Sequence, residues 1–245
     1  MAFPFQPKKD KFIFQYTFLN EVALKIALPE SMDKISFEKM QIFFKRLFNL
    51  DFKESHREHI LNTRLKVENQ DNGIIFEFSK STIKISIEQN HYNTFDESML
   101  PLLTKLIEVY TEWFSFCKEV ELKYVDVWPL TEERNLQESK VKELEDAIFS
   151  IDLRTQTKET EKNFKGKDWE DNDIILSMQY GYYISKDDTQ NSGIALESRC
   201  EYSKEDIEAN KIISIVSEMN FILYNAFIWA VTPQILSAME GKTIG

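Results

Sequence analysis

Apolar and polar positions alternate with a period of two in several stretches of the chain, the pattern of strands with one buried face. The clearest stretch runs from Ile174 to Ile184, where Leu176, Met178, Tyr180 and Tyr182 alternate with polar or small residues. Further strands are predicted within 18–28, 65–67, 74–78, 83–87, 120–128, 147–153 and 194–202.

Other stretches repeat their apolar residues every three or four positions, which predicts amphipathic helices over 35–48 and 95–117. The second of these helices contains Cys117. Ser203 and Asp206 have the spacing of a capping box, which predicts the start of a long helix that ends near Ala230. Thr232-Pro233 then begins a short helix, and Gly241 ends it.

Short connections between alternating strands predict an antiparallel sheet, because parallel neighbours require a long crossover. The fold class is therefore α+β, with long helices packed on one face of the sheet. Three strands followed by a long helix occur at 61–117 and again at 147–230, which indicates two similar βββα halves. We predict an N-terminal half, 1–130, and a C-terminal half, 131–245; one continuous domain is the alternative.

The stretch 155–173 is almost wholly polar and is predicted to be the longest loop. It carries Trp169 and Asp171 in an acidic run, a composition found at protein-recognition sites. The acidic run lacks the glycine and the closing glutamate of an EF-hand loop, so no calcium site is predicted.

The net charge of −11 is unevenly spread, with −2 in residues 1–130 and −9 in residues 131–245. An acidic surface repels nucleic-acid phosphates, so we expect no nucleic-acid partner. The charge suits a basic partner protein, and the alternative is a solvated acidic face that serves solubility alone.

Two cysteines, Cys117 and Cys200, are both expected to be buried free thiols in a reducing compartment. The first residues do not resemble a signal peptide, and the most apolar stretch, Met219–Val231, is shorter than a membrane span. The sequence therefore predicts a cytoplasmic protein without a membrane partner.

Asp126 falls on the apolar side of its predicted strand, between Tyr124 and Trp128. A buried carboxylate must be paired or hydrogen-bonded, and such groups occur at functional sites as well as in structural pairs. With Tyr182, these residues could line a pocket between the sheet and the helices.

Catalytic signatures are absent: the chain has no glycine-rich phosphate loop and no nucleophile elbow. His56 and His59 could share a metal only on a helix and with a third ligand, so a solvated loop is the better interpretation. We predict no catalytic residues, no metal and no cofactor.

The stretch Met219–Trp229 is apolar on nearly every side. A helix of this kind is enclosed, either within the monomer or by the second subunit of a homodimer.

Three motifs resemble a sporadically distributed family of bacterial proteins of unknown function. Tyr92 and Phe95 match its Tyr-x-x-Phe step, and Lys123–Asp126 match a strand with an Arg-Tyr-Val-Asn-like core. Phe227 and Thr232 match its closing helix. The resemblance implies the same order of elements over nearly the whole chain and implies no activity.

The sequence thus favours a non-enzymatic interaction protein, a regulatory or neutralising partner in a bacterial accessory system. The alternative is a small-molecule-binding protein or an enzyme with a pocket between sheet and helices.

Overall fold

The structure, a computed structural model, describes residues 2–6, 18–29, 36–47, 56–61, 64–69, 73–88, 91–130, 136–161, 164–184 and 192–240. Its strands are β1 (Leu19–Ala27), β2 (His56–Leu61), β3 (Arg64–Asn69), β4 (Ile74–Ser79), β5 (Thr82–Glu88), β6 (Phe116–Leu130), β7 (Lys158–Glu161), β8 (Phe164–Asp171), β9 (Ile174–Ile184) and β10 (Ser192–Glu208). Its helices are α1 (Phe37–Leu47), α2 (Leu100–Thr111), α3 (Glu138–Ile148), α4 (Ile151–Gln156), α5 (Ile212–Ala230) and α6 (Pro233–Met239).

The strands form one antiparallel sheet in the order β2-β3-β4-β5-β1-β6-β10-β9-β8-β7. A strand, a helical segment, four strands and a helix follow one another twice, first from β1 to α2 and then from β6 to α5, where the helical segment consists of α3 and α4. Each set places its first strand next to its fifth in the sheet. The predicted α+β class, with an antiparallel sheet and two similar halves, is confirmed.

The chain forms two compact units in space. One contains residues 1–20, 124–200 and 221–245, and is called unit 1 here; unit 2 contains residues 21–123 and 201–220. Because β1, β6, β10 and α5 contribute residues to both, these units differ from the sequence halves 1–130 and 131–245. The division into those halves stays a prediction.

The core of unit 2 is built from the residues whose periodicity predicted it. In β1, Leu24 lies opposite Ile85 of β5 and is fully buried. Phe43 and Phe44 of α1 both pack edge-on against Phe78 of β4, with ring centroids 5.1 and 6.1 Å apart. With its two adjacent phenylalanines α1 thus covers the alternating strand β4, and the burial of apolar surface holds α1 and β4 together.

In unit 1, aromatic residues connect the sheet to the helical segment that follows β6. The ring of Phe149 packs against Trp128 of β6 at 5.6 Å and against Tyr180 of β9 at 4.4 Å. All three residues are at least nine-tenths buried. This cluster defines the helix-facing side of β6, β8 and β9, on which Lys165 of β8 also pairs with Glu145 of α3.

The prediction of a strand over 147–153 is wrong. The helix α3 extends to Ile148, and α4 begins after Ser150, whose hydroxyl accepts a hydrogen bond from the N–H of Leu153. Phe149 alone, between the two helices, forms a bridge with Val231. Ile151 is 66% exposed, so the alternation that suggested a strand was not a burial pattern.

The predicted loop at 155–173 is also wrong, because β7 and β8 occupy most of it. Asp171 of β8 lies opposite Ile174 of β9, so Asn172 and Asp173 form a two-residue hairpin turn. Their φ angles are 50° and 69°. Turns of this kind require two positive φ angles, which asparagine and aspartate tolerate better than other non-glycine residues.

Three further boundaries differ from the prediction. α2 ends at Thr111, so Cys117 lies in β6 and not in a helix. β10 continues to Glu208, past Ser203 and Asp206, so no capping box forms there. The short helix does begin at Pro233, as predicted, whereas its predicted end at Gly241 lies outside the described residues.

His56 and His59 belong to β2 instead of a solvated loop. Their side chains lie outside the described part of the structure.

Within the described residues, Ala209–Ala230 is the one helical stretch whose length and composition would allow it to cross a membrane. The prediction that the apolar stretch is too short counted only Met219–Val231, whereas this helical stretch begins at Ala209 and has 22 residues. Ile212, Val216 and Leu223 are buried along one stripe, as in a core helix of a soluble-type α+β fold.

Candidate functional site

The two faces of the sheet in unit 1 carry different chemistry. On the helix-facing side of β6 lie Tyr124, Asp126 and Trp128, and on the outer face lie Val125 and Val127. Because successive strand residues alternate in direction, one strand supplies both sites discussed below.

Asp126 is 5% exposed, and no described residue donates a hydrogen bond to it or forms an ion pair with it. Burial raises the pKa of its carboxyl from an ordinary 3.8 to about 7. A carboxyl in this environment is easily kept protonated near neutral pH, because the charged form loses hydration that nothing replaces.

Trp128, on the same side of β6 as Asp126, is held between two aromatic rings. Phe18 lies 5.1 Å from it and Phe149 lies 5.6 Å from it, centroid to centroid. Its indole Nε1 is buried and has no acceptor among the described residues. Tyr124 is half-buried on the same side, so the structure does bring these three predicted residues together along one strand.

Tyr182 is 7% exposed, on the same face of β9 as Tyr180. The neighbouring Tyr180 hydroxyl accepts a hydrogen bond from Thr157 at 3.3 Å, and the Lys165 ammonium lies 5.7 Å from its ring centroid. This network ties β8, β9 and α3 together and is a structural arrangement of satisfied groups.

Trp169 was expected at an exposed loop tip and instead lies 2% exposed within β8. Its ring packs edge-on against Trp229 of α5. Asp171 follows two residues later, at the end of β8 beside the hairpin turn. The structure therefore separates both residues from the Asp126 group, and it buries Trp169, which was expected to be exposed.

The outer face of unit 1 contains a concave depression of about 330 Å³. It is lined by residues from β1, β6, β8, β9 and β10: Asn20, Val125, Val127, Phe164, Gln179, Tyr183, Ala195 and Glu197. This volume is at the lower end of the range for small-molecule sites and suits one long side chain or a compact ligand.

The depression combines apolar and polar groups. Val125, Val127 and Ala195 provide an apolar lining, and Phe164 and Tyr183 add aromatic surface. The amide Nε2 of Gln179 donates to Oε1 of Glu197 at 3.4 Å. Burial raises the pKa of the Tyr183 hydroxyl, which keeps it a neutral hydrogen-bonding group.

Gly193 explains how Tyr183 comes so close to β6. A Cβ atom at this position would lie 2.6 Å from the Trp128 carbonyl oxygen and 2.9 Å from Cε1 of Tyr183. Such distances are shorter than van der Waals contact, so a residue without a side chain is required here. By allowing Tyr183 to lie this close to β6, Gly193 determines the position of one wall of the depression.

In unit 2, three carboxylates from β6 and β10 meet on the outer face. Oxygens of Glu119, Glu121 and Glu201 lie within 4.8 Å of one another. The ammonium of Lys25 lies 2.7 Å from Glu119 and 3.6 Å from Glu121. Although burial lowers the pKa of Lys25, its hydrogen bond to Glu119 and the surrounding carboxylates raise it overall. The group is an ion-pair network on the sheet surface.

None of the eight lining residues of the depression was among the site residues predicted from the sequence. The available signal is in β6, where the outer positions change from the charged Glu121 and Lys123 to the apolar Val125 and Val127. Two apolar residues on a face that is otherwise charged indicate a local covered or concave surface. The strand order, which brings Phe164 and Asn20 into one depression, is not visible in that pattern.

No known family model matches the sequence, and no curated protein was found to be similar to it.

Proposed function

We propose that this chain is a non-enzymatic binding protein that recognises a partner protein through the depression on the outer face of unit 1. The observation that supports the proposal is the depression itself, in which an apolar lining adjoins a small number of hydrogen-bonding side chains. Interface hot spots have this composition, since desolvated apolar area supplies affinity and polar groups supply specificity.

The charge of the chain supports a basic partner. With a net charge of −11, the protein attracts basic surfaces and repels acidic ones at long range. We place this interaction in the cytoplasm of a bacterial cell, where the two free cysteines, both buried, would stay reduced. A regulatory or neutralising role fits a protein that acts by binding to its partner and covering a surface of that partner.

A photo-crosslinking residue at Val127, in the floor of the depression, tests the proposal in the native host. The matched control carries the same crosslinker at Ser177, a strand residue whose side chain is on the outer face of β9 but not in the lining. We expect one specific protein adduct from position 127 that is lost when Ala195→Trp fills the depression. Equal adducts from both positions, or none from position 127, would contradict the proposal.

A second candidate function is small-molecule binding between the sheet and the helices. It is favoured by Asp126 and Trp128, since two buried polar groups on one strand lack partners among the described residues. Native proteins satisfy nearly all such groups with protein, water or ligand atoms. Thermal-shift screening against metabolites would detect a ligand, because stabilisation grows with ligand concentration over Kd. A stabilising compound should lose its effect in Asp126→Leu but keep it in Ala195→Trp.

A further inference from the structure

A short segment of unit 1, residues 2–6, lies against the end of helix α5 through aromatic contacts. The rings of Phe3 and Phe5 stack on each other, with centroids 5.8 Å apart and planes at 13°. Phe5 also contacts Trp229, the next-to-last residue of α5, with centroids 6.2 Å apart. Among the described residues, this is the one ring contact that joins the segment to the rest of the chain.

No other interaction of a specific kind holds this segment within the described part of the chain. No hydrogen bond or ion pair joins residues 2–6 to another described residue, and the segment belongs to no strand or helix. Ala2 and Gln6 are exposed, and the three residues between them are half-buried. Because a segment with so few contacts detaches at a small cost in free energy, it can leave Trp229 while the sheet stays folded.

The surface beneath Phe5 is aromatic and is supported from behind. Trp169 of β8 is 2% exposed and packs edge-on against Trp229, with centroids 5.7 Å apart. Trp229 is half-buried even with Phe5 against it, so part of its side chain remains open. A large aromatic ring that is fixed by a buried neighbour and open on one side has the properties of an anchor residue in a recognition surface.

From these contacts we infer that the end of α5 around Trp229 is a peptide-binding site, which residues 3–5 of the chain itself occupy in this structure. Its ligand is an uncharged, extended segment of a partner protein that carries two phenylalanines separated by one residue. Such a segment takes the place of Phe3 and Phe5 on Trp229. The site shares no residue with the depression on the outer face, so the inference does not depend on the proposed function.

The composition of the bound segment defines the class of the ligand. Phe3-Pro4-Phe5 carries no charge, and its phenyl rings bind through the burial of apolar surface and through ring contacts. Pro4 has a fixed φ angle and keeps Phe3 out of the helical region. A peptide that is restricted in this way loses little conformational entropy on binding, and aromatic surfaces recognise such extended proline-containing segments.

The first experiment uses the full chain with Phe3→Ser and Phe5→Ser, which vacates Trp229, and adds the peptide Ala-Phe-Pro-Phe-Gln. NMR follows the indole N–H signal of Trp229. We expect this signal to shift in the double variant and to return towards its position in the natural protein as the peptide is added. A peptide with serine in place of both phenylalanines should bind at least about tenfold more weakly, because the ring contacts are lost. Equal binding of the two peptides, or an unmoved Trp229 signal, overturns the inference.

Competition by the chain's own segment gives the second measurement. A tethered ligand has a high effective concentration, so the phenylalanine peptide should bind the natural protein at least about tenfold more weakly than the double variant. Phe116→Ser, which removes an exposed phenylalanine elsewhere in the chain, is the matched control and should bind the peptide as the natural protein does. Equal affinities of the natural protein and the double variant would show that the peptide binds elsewhere, which overturns the inference.

A spin label tests the same exchange without vacating the site, so the test holds even if the double variant fails to fold. Cys117 and Cys200 are fully buried, so Ala2→Cys provides one accessible thiol for the label. The label should broaden the Trp229 indole signal while the segment lies on α5. Excess phenylalanine peptide should displace the segment and sharpen the signal, whereas the serine peptide should not. A Trp229 signal that stays broad in excess phenylalanine peptide overturns the inference.

Discussion

The indole rings of Trp169 and Trp229 pack edge to face, with centroids 5.7 Å apart and planes at 85°. Trp169 comes from β8 and Trp229 from the last turn of α5, so this contact attaches the longest of the described helices to a strand far from it in sequence. The ammonium of Lys167 lies 5.2 Å from the Trp169 ring centroid. The pair is thus a structural contact of unit 1, although an acidic segment surrounds Trp169 in the sequence.

Substitution of Trp169 should therefore affect stability more than binding. We expect Trp169→Ala to lower the free energy of unfolding by about 3–5 kcal/mol, because a large buried ring is replaced by a cavity. Trp169→Phe should cost less, since an aromatic contact with Trp229 is kept. Urea denaturation followed by circular dichroism measures both. A Trp169→Ala protein of native stability that fails to bind its partner would instead restore Trp169 to a recognition role.

Asp126 should make stability dependent on pH. The folded state raises the pKa of its carboxyl to about 7, so the native protein holds this proton more tightly than the unfolded chain. The resulting stabilisation is complete below the ordinary pKa and is lost as pH rises through about 7. We expect Asp126→Asn to be more stable than the natural protein at pH 8, by on the order of a few kcal/mol, with little difference near pH 4.

The measurement is urea denaturation of both proteins at several pH values between 4 and 8. Asp168→Asn, at an exposed position of β8, serves as the control and should leave the pH profile unchanged. Parallel profiles for the natural protein and Asp126→Asn would show that Asp126 has a partner in the folded protein.

The sequence pattern predicted the fold class because burial alternates where side-chain polarity alternates. Leu176, Met178 and Tyr180 of β9 are all buried, as their period of two required. The pattern failed at β8. One side of this strand carries Lys165, Trp169 and Asp171, which do not form the run of alternating apolar residues by which a strand is recognised. There the partner strand and the Asn172-Asp173 turn determine the structure, and the segment's own polarity does not.

The candidate site was less predictable for the same reason. Tyr124, Asp126 and Trp128 could be assigned to one side of β6 from the alternation alone. The depression instead gathers residues from five strands, with Asn20 and Glu197 far apart in sequence. Which residues meet in the depression depends on the order of the strands in the sheet, and the polarity pattern within one strand does not reveal that order.

Lys25 should stabilise unit 2 because it faces several carboxylates. Lys25→Met leaves Glu119, Glu121 and Glu201 to repel one another. We expect a loss of about 1 kcal/mol, since the Lys25 side chain is 35% exposed and solvent screens the interaction. The loss should shrink at high salt. Lys84→Met, whose ammonium lies 3.5 Å from Glu21, is the matched control on the same face and should show a smaller effect.

The thiols of Cys117 and Cys200 should not react in the folded protein. Both side chains are fully buried, and burial raises the pKa of Cys117 to about 12 and that of Cys200 well above its usual value. The nucleophilic thiolate is therefore scarce and inaccessible. An aromatic disulfide reagent should label neither cysteine in native buffer and both in urea. Rapid labelling of one thiol in native buffer would show that its strand opens.

Gly193→Ala tests whether the close approach of β10 to β6 shapes the depression. The added methyl would lie 2.6 Å from a backbone oxygen of Trp128, which cannot rotate away, so the strands must separate. We expect a loss of about 1–3 kcal/mol in unfolding free energy, as in other overpacked sites. Because Cε1 of Tyr183 lies 2.9 Å from the same point, its ring should move and the yield of the crosslink from position 127 should fall. Ala195→Gly, which removes a methyl from the lining without a clash, should cost stability through strand flexibility while leaving Tyr183 in place. Equal losses of crosslink yield in the two variants would assign the effect to general loosening of the sheet.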